Sequence, residues 1–143
     1  MQFIELTDYT LLYVDKEIMG VLGQAMFMPT AGRMKSAAEA IYSKQQGSFY
    51  LCKDGDTLLG VIGLQRTDNI QVEIMHIAVA KDHQGKGVGR FMIEEAFRYS
   101  GTDTIVAETD SDAVDFYKKC GFKVKLQKDN ILDTDRYWCV KEA

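Results

Sequence analysis

Residues 73 to 90, which read EIMHIAVAKDHQGKGVGR, constrain the fold more than any other part of the chain. The apolar segment predicts a buried strand, and the apolar repeat that follows Gly89 predicts a helix. Between them, Gly85, Gly87 and Gly89 remove the side chain at alternate positions, so that a ligand can approach the backbone closely. The first amides of the helix lack partners within it and lie at the positive end of its dipole. The segment therefore predicts an anion site for a phosphate or pyrophosphate.

Lys86 and Arg90 add positive charge on either side of this turn, which favours the same ligand. A dinucleotide site is the main alternative, because Glu108 ends the next predicted strand about 20 residues later. Hairpins precede the turn, however, whereas a Rossmann half needs parallel strands joined by helical crossovers. Only 35 residues follow Glu108, so the topology rejects a dinucleotide fold.

The rest of the chain alternates between helical and sheet periods. The sequence predicts a first strand at 3–6, a helix whose apolar face includes Leu11, Val14, Ile18 and Leu22, and a second helix that begins with a capping box at 36–39. Strands are then predicted at 49–53, 57–65, 70–80, 104–107, 123–126 and 136–140. One helix is expected to end near Gly101, and another, capped by Asp110 or Ser111, at Gly121.

Composition limits the class of protein. The chain has 143 residues, which fits one domain over 1–143, and it holds no apolar run near ~18 residues, so we expect no membrane span. A formal charge of −4 without a basic run argues against nucleic acid as a partner. Three cysteines without CxxC spacing predict neither disulfides nor a metal site. The start MQFIELTDYT lacks export features, and we expect a cytoplasmic protein.

Two motifs carry a resemblance to a known family. Gln84, Gly87 and Gly89 form QxxGxG at the glycine turn, and the segment 110–122 reads DSDAVDFYKKCGF. Both resemble motifs of the GCN5-related N-acetyltransferases, whose later helix usually reads Asn-x-x-Ala-x-x-Phe-Tyr before Gly-Phe. The matching residues of this second motif are Ala113, Phe116, Tyr117, Gly121 and Phe122. Asp110 departs from the pattern, since it stands where Asn is usual.

The resemblance implies a fold that contains both helices and strands, α/β in the broad sense and α+β in the strict one. It is a single domain with a mixed, mostly antiparallel central sheet flanked by about four helices. It implies acetyl-CoA as the acyl donor, no metal, and direct attack of an amine acceptor on the thioester through a tetrahedral intermediate. The residues expected to bind the donor are Ile77, Ala78, Val79, Gln84, Gly85, Lys86, Gly87, Val88, Gly89, Arg90, Asp110, Ala113, Phe116 and Tyr117. A homodimer is compatible with the resemblance.

Acyl transfer to an amine requires a neutral amine, which an alkylamine with a pKa near ~10.4 rarely is at pH 7. A base is therefore useful. Glu73 and His76 lie on the strand before the glycine turn, and Glu73 occupies the place of the catalytic Glu in histone-acetylating members. Strict alternation puts the two side chains on opposite faces, although a bulge would change this. We prefer Glu73 and leave His76 as the alternative; a solvated carboxylate and a core histidine are the non-catalytic interpretations.

The leaving thiolate needs stabilisation, and Tyr117 matches the family tyrosine that hydrogen-bonds the coenzyme sulfur. A phenol near ~10 is a weaker acid than a thiol near ~8.5, so hydrogen bonding describes the role better than full proton donation. The resemblance places the amide that polarises the thioester carbonyl near Val79. Cys120 is interpreted as a packed thiol rather than an acyl carrier.

The acceptor is less constrained by the sequence, which fits either a small-molecule amine or a protein amino group. Met26, Phe27, Met28 and Met34 group around Pro29 and Gly32 in a region that, in the resembled family, commonly borders the acceptor site. Flexible methionines suit an adaptable pocket, and a core plug beneath a loop is the alternative. A non-catalytic sensor or partner protein that binds acyl-CoA remains the second functional hypothesis. Turnover of acetyl-CoA with an amine would separate the two.

Overall fold

The computed structural model describes residues 1–23, 30–127 and 135–143. Its strands are β1 Gln2–Glu5, β2 Gly47–Asp54, β3 Thr57–Arg66, β4 Gln71–Val79, β5 Thr104–Asp110, β6 Lys123–Gln127 and β7 Arg136–Glu142. Its α-helices are α1 Leu11–Val14, α2 Lys16–Leu22, α3 Ala31–Ala37, α4 Val88–Ser100 and α5 Val114–Lys119. A π-helical turn, Ala38–Tyr42, continues α3, and a 3-10 turn, Lys81–His83, follows β4.

The strands of the described residues form one sheet in the order β1-β2-β3-β4-β5-β7-β6. All neighbours are antiparallel except β4 and β5, which run parallel. That parallel pairing covers only 71–73 of β4 and 104–106 of β5. Beyond Glu73 the ladder between the two strands stops, which leaves the edge of β4 that faces β5 unpaired within the described chain. The expected mixed, mostly antiparallel sheet with flanking helices is confirmed.

Each face of the sheet is covered by its own apolar cluster. One cluster joins α4 and α5 to the sheet through residues such as Met92, Ile93 and Tyr117, and we call this side the α4 face. The other cluster joins α1, α2 and α3 to the sheet through residues such as Leu12 and Met34, and we call this side the α1 face. Burial of these two layers supplies the main stabilisation of the fold.

The N-terminal helices differ from the sequence prediction. The expected single helix over Leu11 to Leu22 is broken at Asp15, whose extended backbone ends α1 and whose carboxylate caps α2 by accepting a bond from Ile18 N at 2.9 Å. Val14 is consequently exposed. The next helix begins at Thr30, which caps it, so the predicted capping box at 36–39 lies inside a helix and was wrong.

The methionine-rich region is only partly covered. Met26, Phe27, Met28 and Pro29 lie outside the described residues, and their predicted role stays a prediction. Met34 is buried in the cluster on the α1 face, and Gly32 lies in the first turn of α3. Among the described residues, no helix has both the length and the apolar character needed to cross a membrane.

Candidate functional site

A cleft of about 620 Å³ opens where β4 separates from β5. The end of β4, the glycine turn, the start of α4 and one side of α5 form its walls. Its lining residues are Ile77, Ala78, Val79, Gln84, Gly85, Gly87, Val88, Gly89, Arg90, Phe116, Lys119 and Cys120. The fold thus brings most of the residues predicted to bind the donor together around one concave space. Lys86, Asp110, Ala113 and Tyr117 do not line it.

Gly85 and Gly87 adopt a left-handed backbone that only glycine tolerates well. Their φ angles are +77° and +83°, and a Cβ at either position would meet no heavy atom within 4 Å. Gly87 is the N-cap residue directly before α4, so the helix presents its first amides to the same open space. The left-handed backbone and the open space together form a cradle. Any side chain at position 85 or 87 would enter it, and the cradle as it stands fits a phosphate group.

Gly89 has a different role from the one its sequence pattern suggests. A Cβ there would lie 2.4 Å from Phe116 Cε1, so this glycine lets the Phe116 ring pack against the first turn of α4. The third glycine therefore positions α5 against α4, and the close approach of a ligand depends on the first two. Arg90 strengthens the same contact, because its guanidinium donates to the Lys119 carbonyl near the end of α5.

The unpaired edge of β4 supplies backbone donors to the cleft. Ala80 N donates to Leu59 O at 2.8 Å, and antiparallel pairs exchange bonds only at every second residue. The amides of Ile77 and Val79 therefore point away from β3, toward the cleft. Gln84 Nε2 donates to Val79 O at 3.2 Å, which engages that carbonyl and leaves the amide as the available group. These two amides are the candidates for the predicted carbonyl-polarising donor near Val79, whose role stays a prediction.

Charged groups surround the cradle without filling it. Lys86 and Arg90 are exposed at the glycine turn. Asp110 lies at the end of β5, where its Oδ1 accepts bonds from Asp112 N and Ala113 N, both at 3.0 Å. Asp110 therefore caps the turn that leads into α5. An Asn carbonyl oxygen would accept the same two bonds, so the departure from the family pattern leaves this turn intact.

Glu73 and His76 lie on the same face of the sheet. Glu73 pairs with Gln65, and His76 pairs with Gly63. The two residues are therefore three positions apart on β4, whereas their partners are only two positions apart on β3. The extra residue is Met75, which forms a β-bulge. Strict alternation, which placed the two side chains on opposite faces, was therefore wrong, and both project from the α1 face.

The environments of the two candidate bases shift their pKa values in opposite directions. Partial burial, with repulsion from Glu108, raises the pKa of the Glu73 carboxyl. Burial lowers the pKa of His76. Glu108 is paired with Arg136, whose Nε lies 3.1 Å from Glu108 Oε1. At neutral pH the site therefore holds a carboxylate of increased basicity and an uncharged imidazole.

His76 also contacts a residue that the sequence reasoning did not select. The hydroxyl of Tyr42 is hydrogen-bonded to His76 Nδ1, and the two ring centroids lie 5.7 Å apart. Tyr42 is fully buried, and burial raises the pKa of its phenol. The non-catalytic interpretation of His76 was a core histidine. The side chain is half-buried, and it also lies on the same face of the sheet as Glu73.

Tyr117 is a core residue. Only 6% of its surface is exposed, and its ring makes edge contacts with Phe116 and Phe122, each with centroids 5.2 Å apart. Burial raises the pKa of its phenol. Within the described chain its hydroxyl has no hydrogen-bond partner, which is uncommon for a buried polar group and leaves the O–H available.

Three residues of the cleft or site were not predicted to lie there. Lys119 and Cys120 line the cleft because α5 turns that side toward the start of α4. Spacing could have identified Lys119, which lies three residues after Phe116 and so on the same helix face. Tyr42 is remote in sequence from His76, and nothing in the chain's local pattern indicates their contact. No cluster of three potential metal ligands occurs among the described residues.

A comparison with protein families decides the assignment. The model of the acetyltransferase (GNAT) domain matches residues 45–124, which contain the cleft and both sequence motifs. The chain belongs to the GNAT acetyltransferase family. A relative from Bacillus subtilis, the uncharacterized N-acetyltransferase YvbK, is 34% identical over 87 residues, covering 57% of this chain and 56% of YvbK. The chain thus matches little more than half the length of that relative.

Other relatives and structures agree with this family. An uncharacterized N-acetyltransferase of Bacillus methanolicus is 28% identical over 109 residues, covering 74% of this chain and 87% of the relative. The structure of a Bacillus subtilis acetyltransferase in complex with CoA aligns with a TM-score of 0.75 at 23% identity, covering 99% and 98% of the two chains. An Elizabethkingia anophelis GNAT acetyltransferase with acetyl-CoA bound aligns with a TM-score of 0.72 at 20% identity, covering 99% and 97%. At these identities the structures show the shared fold.

Proposed function

We propose that this GNAT protein is an N-acetyltransferase that moves the acetyl group of acetyl-CoA to an amine. The observation that supports this most is the open cradle of Gly85 and Gly87 at the start of α4, beside the unpaired edge of β4. Phosphate oxygens would accept bonds from the amides of residues 85–90, and Lys86, Arg90 and Lys119 would add charge. When bound, acetyl-CoA supplies the acyl group as a thioester.

The edge of β4 would orient the acyl group. The amides of Ile77 and Val79 point into the cleft, and a donor aimed at a developing oxyanion is commonly worth ~2.7 to 4 kcal/mol of barrier. Gln84 donates to the Val79 carbonyl, which lies in the peptide unit after the Val79 amide, and so restrains the end of β4 next to that amide. No covalent bond between enzyme and acyl group is required, and Cys120 remains a buried thiol in the wall of the cleft.

Glu73 would accept the proton of the amine. Its raised pKa makes the carboxylate a better base than an ordinary glutamate, and removal of the proton leaves the amine nitrogen with the lone pair that attacks. Tyr117 would stabilise the leaving thiolate through the hydroxyl that lacks a partner among the described residues. Both assignments rest on position and chemistry, with His76 as the alternative base.

The acceptor is proposed to be a primary amine that is cationic in solution. Glu73 and Glu108 both project from the α1 face, and Arg136 is paired with Glu108, so the remaining negative charge of Glu73 favours a positively charged group over an anion. Spermidine N-acetyltransferase from Vibrio cholerae and an aminoglycoside 6'-N-acetyltransferase have the same fold, with TM-scores of 0.71 and 0.73 at 19% and 16% identity. Polyamines and aminoglycosides are therefore the first acceptors to test. A cytoplasmic location and a homodimer stay predictions.

A screen of amines by thiol release tests the proposed function. The panel should contain polyamines, aminoglycosides, small metabolite amines and a lysine peptide, each with acetyl-CoA and purified protein. We expect thiol release with at least one class and retention of the acetyl group on the amine. Tight binding of acetyl-CoA without release in the presence of any amine would favour the sensor alternative, in which the cleft binds acyl-CoA without catalysis.

A further inference from the structure

The contact between Tyr42 and His76 depends on a missing side chain. His76 pairs directly with Gly63 across β3 and β4, and a Cβ at Gly63 would lie 1.9 Å from the Tyr42 hydroxyl oxygen. The hydroxyl therefore occupies the space that any other residue at 63 would fill. Tyr42 reaches this space from the π-helical turn that ends α3, and its ring contacts Phe49 edge-on with centroids 5.0 Å apart. The contact is thus built from three separate elements.

The burial of Tyr42 determines the direction of the hydrogen bond. Among the described residues, the Tyr42 hydroxyl has His76 Nδ1 as its hydrogen-bond partner and no other. If Nδ1 carried the proton and donated it, the hydroxyl hydrogen would be left buried without an acceptor, which is unfavourable. If the hydroxyl donates, Nδ1 accepts, and the buried hydroxyl hydrogen and Nδ1 are both satisfied. The second arrangement requires the imidazole proton to be on Nε2.

We propose that Tyr42 holds His76 as a neutral imidazole with its proton on Nε2, so that His76 is a fixed N–H donor beside Glu73 and not the base of the reaction. Nε2–H cannot accept a proton, and Nδ1 is occupied by the hydroxyl. Tyr42 does not relay a proton either, because burial disfavours its phenolate.

Tyr42 is therefore a positioning residue, and it acts through His76. The expected effect on turnover rests on the proposed function. The position of the proton on the His76 ring does not, because it is a property of the protein alone. The distinction matters because the bulge at Met75 puts Glu73 and His76 on one face, where either could be the base by position. The hydrogen bond to Tyr42 assigns different roles to the two side chains.

Nitrogen NMR of the histidine rings tests this directly, without acetyl-CoA. The chain has two histidines, so a His83→Gln variant assigns the signals of His76. We expect a protonated Nε2 and an unprotonated Nδ1. The ring should keep this state throughout the pH range in which the rate of amine acetylation rises with pH, the acid limb of the pH-rate profile. A proton on Nδ1 would overturn the proposal. A His76 ring that titrates with the midpoint of the acid limb would also overturn it, because His76 would then be the base.

Substitution of Tyr42 provides the matched experiment. Tyr42→Phe should move the Nδ1 resonance of His76 to the frequency of an Nδ1 atom that accepts no hydrogen bond. It should also lower turnover about tenfold, as expected for one lost hydrogen bond. Tyr50→Phe removes a buried hydroxyl on the α4 face and should change neither quantity. If Tyr42→Phe fails to fold, Gly63→Ala displaces the same hydroxyl and should move Nδ1 alike. An unchanged Nδ1 resonance in a folded variant would overturn the proposal even if no amine is acetylated.

Discussion

Glu73 and His76 project from the same face of the sheet because Met75 forms a bulge between them. Without the bulge, one of the two side chains would point toward α4, and only the other would project from the α1 face. Bulges often occur next to active sites, where they change the direction of a side chain. Here the bulge lies just before the residues whose amides face the cleft, so one irregularity of β4 positions both the candidate base and its histidine neighbour.

The glycine cradle can be tested with two glycines that differ only in location. Gly87 and Gly101 both have a left-handed backbone, with φ of +83° and +67°, and both have open space where a Cβ would lie. Gly87→Ala and Gly101→Ala should each lose about 1–2 kcal/mol of stability. Only Gly87→Ala should weaken acetyl-CoA binding, by roughly tenfold or more, since its methyl group enters the cradle. Calorimetric titration of both variants measures this, and equal affinities would contradict the assigned cradle.

Glu73→Gln should lower activity while it increases stability. The raised pKa means that ionised Glu73 is less favourable in the folded state than in the unfolded state, so removal of the charge stabilises the fold at pH 7. The rate loss, on the order of 10² to 10⁴, should shrink as rising pH deprotonates the amine itself. Thermal unfolding and pH-rate profiles measure the two effects. Exposed Glu94, changed to Gln, is the control; a pH-independent loss would assign Glu73 to binding.

The lowered pKa of His76 predicts how stability depends on pH. As pH falls below about 6.5, the unfolded chain binds a proton on this ring that the folded protein does not bind, so stability decreases toward the lower folded pKa. Above about 6.5 this contribution is constant. His76→Gln should remove that part of the decrease when unfolding by urea is measured across the range. An unchanged pH dependence would mean that burial does not depress the pKa of His76.

The sequence predicted the positions of the strands along the chain and the glycine turn well, because local signals determine both. Residues 57–65 and 136–140, for example, lie within β3 and β7. The prediction failed where one residue interrupts the periodicity of an element. Asp15 ends the first helix and caps the next, and Met75 is the extra residue of the bulge in β4. A periodicity argument assumes uninterrupted elements and cannot locate such insertions.

The candidate site was predictable only in part, for the same reason. Gly87 and Gln84 belong to a contiguous motif, so their grouping follows from local sequence. The contact of Tyr42 with His76 joins residues 34 positions apart and depends on Gly63 in a third element. Such a contact arises from tertiary packing alone, and no spacing in the chain indicates it.

Tyr117→Phe tests most directly whether the cleft catalyses acyl transfer. The substitution keeps the ring contacts with Phe116 and Phe122 and removes a hydroxyl that makes no hydrogen bond within the described residues, so stability should not fall. Turnover and the acetyl-CoA dissociation constant should be measured on one preparation, with Tyr50→Phe as the control. We predict a loss of turnover on the order of 10² to 10³ with an unchanged dissociation constant. Turnover within about threefold of the wild type in the stable variant would contradict the role of Tyr117.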